Sequence, residues 1–81
     1  MNSAIYPPRK VFLEDYRTTV RLEPVMWEAL EDIARHRGTT RQDVIKQIDL
    51  HRGRSEGLSS AIRVYIVKCY RRRCGELEAK R

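Results

Sequence analysis

The sequence predicts a mostly α-helical domain with one short β-strand, designed to work as a pair of identical chains. Three observations predict it. Residues 17–23 alternate between apolar and polar side chains, later stretches carry apolar residues at helical spacing, and the chain has only 81 residues. A domain of that length buries only about 60% of its unfolded surface, so a lone monomer is marginal. A single strand also leaves both of its edges unpaired. Both points favour pairing of the strand with its own copy across a two-fold axis.

The chain divides into an arm at residues 1–16, a domain at 17–73 and a polar tail at 74–81 expected to fray. Within the arm, Pro7-Pro8 precede a basic root at Arg9-Lys10. Lys10-Val11-Phe12-Leu13 reads in two ways. It is a short strand turned into the main one by Glu14-Asp15, or Val11 and Leu13 simply lie against the body of the dimer. The main strand follows at Arg17–Glu23. Thr18, Val20 and Leu22 fall on one side, and Arg17, Thr19 and Arg21 on the other, because successive strand residues point to opposite faces.

Pro24 cannot donate a ladder hydrogen bond but suits the first position of a helix. The first helix therefore starts there. Its stripe is Met26 or Trp27, then Leu30, Ile33 and Ala34. Glu28, Glu31 and Asp32 lie in its N-terminal half, where carboxylates suit the helix dipole, and Glu31 and Arg35 are spaced as an i,i+4 pair. Arg35-His36-Arg37 followed by Gly38 is a helix ending. Thr40 is the expected N-cap of the second helix, with Asp43 in the capping-box position and Val44, Ile45 and Ile48 on its buried face.

A polar loop with two glycines, residues 49–57, separates the second helix from a third that runs from Gly57 or Leu58 to about Arg73. Leu58, Ala61, Ile62, Tyr65, Ile66 and Cys69 line one face of the third helix, and Val64, Val67 and Tyr70 widen it. So broad a face suggests burial against more than one neighbour.

Seventeen Lys and Arg against eleven Asp and Glu leave a net charge of +6. So basic a small domain suggests a polyanion partner, because each phosphate neutralised releases condensed counterions. Cys69 and Cys74 do not share a helix face and lack the second Cys or His pair of a zinc site. Cys69 reads as a core residue and Cys74 as a surface thiol. No metal or other cofactor is implied, nothing resembles a signal peptide, and no stretch is apolar enough to span a membrane. The expected location is a reducing cytoplasm, with no membrane partner.

The order strand, helix, glycine turn, helix carries a family resemblance. Arg17 to Ile48 resembles the ribbon-helix-helix DNA-binding proteins of the Arc and MetJ type. It does so in the alternating strand, the stripe Leu30-Ile33-Ala34 and the turn Arg37-Gly38-Thr39-Thr40. The later helix, with Leu58-Ser59-Ser60-Ala61-Ile62, is similar to a bacterial subgroup in which a loop and third helix follow the core. The resemblance implies that two chains pair their strands into an antiparallel two-stranded ribbon, which fits the B-DNA major groove. It implies base-reading by Arg17, Thr19 and Arg21 and phosphate contact at Thr39, Thr40 and Arg41. Arginine independently suits guanine O6 and N7, and threonine suits a base edge or a thymine methyl. The bland alternative is a solvated strand face and an ordinary N-cap. Val20, Leu22, Trp27, Leu30, Ile33, Ile45, Ile48, Ile62, Tyr65 and Ile66 are the expected dimer core.

These readings converge on a homodimeric transcriptional regulator, a repressor that binds double-stranded DNA and sits on the nucleoid when bound. The alternative is an antitoxin or other partner-binding protein that uses the ribbon-helix-helix part mainly to dimerise and engages a toxin or other protein. The short polar tail offers such a partner few apolar anchors. An enzyme is not expected. Glu28, Glu31 and Asp32 have no nucleophile beside them, and His36 and His51 have no partner of catalytic type. Tyr65 and Tyr70 read as core, and Arg52-Gly53-Arg54 and Arg71-Arg72-Arg73 as basic groups near phosphates or in solvent.

Overall fold

A computed structural model describes residues 6–53 and 55–79. The first five residues of the expected arm, Arg54 of the loop and the last two of the tail lie outside the described residues. The element order is β1 (Arg9–Phe12), β2 (Arg17–Val20), α1 (Pro24–Arg37), α2 (Arg41–His51) and α3 (Leu58–Ala79).

The expectation of a single strand is corrected. β1 and β2 form an antiparallel hairpin within one chain, in the register Arg9↔Val20, Lys10↔Thr19, Val11↔Thr18 and Phe12↔Arg17. The Leu13 amide donates to the Tyr16 carbonyl at 2.8 Å and closes the turn over Glu14-Asp15. β1 is hard to read because Arg9-Lys10-Val11-Phe12 holds only one inward apolar residue, Val11, which is 2% exposed. A pattern that short carries almost no period. The pairing occupies one edge of β2 and, among the described residues, leaves the other free.

α1 begins at Pro24 with no side-chain cap, and its first turn holds no acid. Glu28, Glu31 and Asp32 therefore lie past the orphan amides, where the dipole matters little. Arg35 pairs with Asp32 at 3.3 Å, not with Glu31. At the other end Gly38 adopts the left-handed conformation, φ +71°. Its amide donates to the Arg35 carbonyl, and the Thr39 amide to that of Ala34. This is a Schellman ending, which glycine takes without steric cost. α2 follows directly. The Thr40 hydroxyl accepts from the Asp43 amide at 3.1 Å, as an N-cap should.

One core joins the hairpin to all three helices. Leu22, Leu30, Ile45, Ile62 and Val20 are its most fully enclosed large side chains. Of the ten residues expected at a dimer centre, nine are buried within this one chain and Tyr65 packs against them half-buried. Their burial thus needs no second copy. The broad α3 face divides instead: Ala61, Ile62 and Ile66 are buried, while Val64, Val67 and Tyr70 are exposed. Tyr70 is therefore not core. α3 also continues six residues beyond the expected end near Arg73, to Ala79. Glu76 and Leu77 extend the helical pattern there, but no apolar period distinguishes that stretch from a frayed end.

Candidate nucleic-acid interface

The hairpin has an inner and an outer face. Val11, Val20 and, half-buried, Thr18 turn toward the helices. Arg17 and Thr19 are exposed on the opposite side; β2 stops at Val20, short of the expected Glu23, so Arg21 is exposed one residue past the strand's end. Lys10 and Phe12 join them, because the register places Lys10 across from Thr19 and Phe12 across from Arg17. The outer face thus holds three cations, a threonine and an aromatic ring. It is also partly pre-arranged. The Arg17 guanidinium lies 5.6 Å from the Phe12 ring centroid, and Arg21 donates to the Tyr6 carbonyl at 3.4 Å. Lys10 and Phe12 escaped the sequence reading as site residues. The signal that could have found them is the alternation within Lys10–Leu13, once that stretch is taken as a strand.

The start of α2 lies against the hairpin's flank. Gln42 donates from its amide nitrogen to the Phe12 carbonyl and ties the two together. Thr39 donates its hydroxyl to the Asp43 carboxylate at 3.0 Å, and Thr40 caps the helix. Arg41 sits over the Trp27 ring at 5.2 Å and 3.8 Å from the Glu31 carboxylate. The amides of Arg41 and Gln42 stand in the first helical turn, before intrahelical bonding begins. Lys10, Trp27, Thr39, Thr40, Arg41 and Gln42 line a cleft of about 370 Å³ there. The structure therefore brings Thr39, Thr40 and Arg41 together, beside but not on the face that holds Arg17, Thr19 and Arg21.

A family model described as a ribbon-helix-helix domain matches residues 7–70. The chain belongs to the ribbon-helix-helix family. The match takes in the hairpin, α1, α2 and the first part of α3, so the third helix is part of the matched domain. No curated protein and no solved structure matches the chain. The ribbon-helix-helix family is one of DNA-binding regulators and antitoxins, a regulatory fold whose members bind DNA and dimerise.

Two polar clusters hold this ribbon-helix-helix domain's hairpin to its helices. Beyond β2, Arg63 of α3 donates to Glu23 at 3.1 Å and to the Arg21 carbonyl at 3.5 Å. The Glu23 carboxyl lies below its ordinary range, held there by its backbone hydrogen bond and then by Arg63. At the hairpin turn, Tyr16 donates to Asp49 at 2.9 Å and Arg52 donates to the same oxygen at 2.8 Å. Arg52 also reaches the Glu56 carbonyl. Asp49 and then Tyr16 raise the Arg52 guanidinium's pKa above its ordinary value. Arg52 is thus engaged in closing the loop after α2. His51 bonds back to the Gln47 carbonyl at 2.8 Å, and His36 lies 3.4 Å from Arg73. Among the described residues, no group of three His, Cys, Asp or Glu is placed to hold a metal. None of their helices is long and apolar enough to cross a membrane.

Proposed function

We propose that the chain is a sequence-specific DNA-binding regulator that acts as a homodimer and represses transcription by occluding its site. The observation that carries this reading is the common exposure of Arg17, Thr19 and Arg21 on one hairpin face. The free edge of β2 can pair with the same edge of a second copy about a two-fold axis. That union is a four-stranded sheet whose middle two strands are the β2 pair. The outermost strands of such a sheet stand about 14 Å apart at a spacing of about 4.8 Å per strand. The major groove is about 12 Å wide. The β2 pair therefore enters the groove, and the flanking β1 strands ride on its walls.

In this arrangement six side chains, Arg17, Thr19 and Arg21 from each copy, read bases in a roughly palindromic site. Thr39, Thr40 and Arg41 contact a backbone phosphate on each side, using the amides and positive dipole end of α2. The regulator acts on nucleoid DNA in the cytoplasm. Selection of bound sequences from random duplexes at near-physiological salt tests the reading. A palindromic consensus is the expected result. Binding without sequence preference, or a chain that sediments as a monomer on the selected duplex, would defeat it.

A second reading draws on α3, whose Val64, Val67, Tyr70 and Leu77 are exposed apolar residues. An antitoxin would use such a helix to hold a protein partner. Stoichiometric co-purification with a protein encoded alongside it would favour that role.

A further inference from the structure

Trp27 has two arginines over its ring, and they come from different parts of the chain. Arg9 opens β1 and places its guanidinium carbon 4.6 Å from the indole centroid. Arg41 opens α2 and lies 5.2 Å away. The indole itself is 6% exposed, so the core fixes it in place. Two like charges are thereby gathered on one rigid ring. The ring's negative face attracts each of them, but it does not neutralise them. Among the described residues, Glu31 is the carboxylate paired with either, 3.8 Å from Arg41 and half-exposed. A pair of stacked guanidiniums suits a compact anion. Guanidinium groups bind a phosphate through two parallel donors, and a stacked guanidinium has already lost much of its rotational freedom. Lys10 lines the same cleft and adds a third positive charge.

We propose that Arg9 is a DNA-backbone contact and that Trp27 is the positioning residue that holds Arg9 and Arg41 as one two-armed phosphate grip. The inference rests on the reading of the chain as a DNA-binding dimer, and it assigns the role of the β1 flank within that reading. Arg9 pairs in register with Val20, whereas Lys10 pairs with Thr19 on the base-facing side. Arg9 therefore lies off the base-reading face, on the helix-facing side of the hairpin with Trp27 and Arg41, and shares a cleft with Thr39, Thr40 and Arg41 at the start of α2. The grip is independent of base identity.

The test measures affinity for a selected duplex and for an unrelated one across a salt series, with thermal unfolding as a check on folding. Arg9→Ala should weaken both duplexes in parallel, by about tenfold, and flatten the salt slope by about 0.9 per lost contact, or close to two units per dimer. Trp27→Leu should flatten the slope at least as much, and adding Arg9→Ala to it should change little. Trp27→Phe keeps an aromatic face and should recover most of the slope. That recovery separates positioning from mere packing, and it still decides if Trp27→Leu does not fold. Arg9→Ala with unchanged slope and affinity overturns the assignment while leaving the DNA-binding reading intact. So does a loss confined to the selected duplex. Failure of the unsubstituted chain to bind either duplex removes both.

Discussion

The hairpin flank and the far half of α3 are both basic and both exposed, yet they are built differently. On the hairpin side each arginine has a fixed companion. Arg9 and Arg41 stack on Trp27, Arg17 on Phe12, and Arg21 bonds to the Tyr6 carbonyl. On α3, Arg71 and Arg72 stand exposed on the part of the helix that runs on past the core. Arg73 lies 3.4 Å from the His36 ring nitrogen. Ordering a free arginine side chain costs up to about 2 kcal/mol of rotamer entropy. Prior stacking removes part of that cost before DNA arrives. Counting charge would rank the two regions alike; counting held charge separates them.

The strongest way to break this contrast is to strip the hairpin face. Changing Arg17, Thr19 and Arg21 together to alanine should erase the preference for a selected duplex over a random one, a gap of about 4–10 kcal/mol for specific binders. Competition binding reads it, and Arg21→Ala alone should cost about 1–3 kcal/mol at its own base position. A dimer that keeps its preference without these three side chains would end the distinction.

Stability should follow the same divide. Leu22 is fully enclosed between hairpin and helices, so Leu22→Ala should cost about 2–5 kcal/mol in denaturant unfolding. Val67 is 50% exposed, and Val67→Ser should stay within about 0.5 kcal/mol. A larger loss at Val67 would mean that another chain covers α3 in solution.

Smaller effects sharpen the comparison. Arg71 and Arg72 changed together to alanine should reduce the salt slope by less than Arg41→Ala does, which is about 0.9 per contact. Glu31→Gln removes the carboxylate 3.8 Å from Arg41 and should tighten duplex binding slightly at low salt, and equally for all sequences.

The smallest expected effect is a pH dependence at Glu23. Its folded pKa is lowered, first by its backbone hydrogen bond and then by Arg63. Its contribution to stability is therefore complete above the ordinary carboxylate range. It is lost as pH falls through the lowered folded value. The melting temperatures of the unsubstituted chain and of Glu23→Gln should differ at neutral pH and converge on acidification. A difference that grows on acidification would reverse the sign.

Much of the fold was legible because it is local. The break at Pro24, the ending at Gly38 and the cap at Thr40 each depend on residues within one turn of each other, where steric and hydrogen-bond preferences act directly. The outward set Arg17, Thr19 and Arg21 follows from strand parity alone. The companions of those residues were not legible. Nothing in Arg9 points to Trp27, eighteen positions away. Nor does anything in Tyr16 point to Asp49, a bond that spans 33 positions.

By itself, the sequence determined where the three helices begin, where α1 ends, which face of β2 is polar, and that the chain carries excess positive charge. Those are properties of short range and of composition. The tertiary structure decided that β2 pairs first with β1, that the expected dimer core is already closed within one chain, and that α3 keeps an unburied stripe. It also decided which arginines are held. The physical reason is that strand pairing, burial and stacking depend on which distant surfaces meet, and periodicity along the chain does not encode that distance.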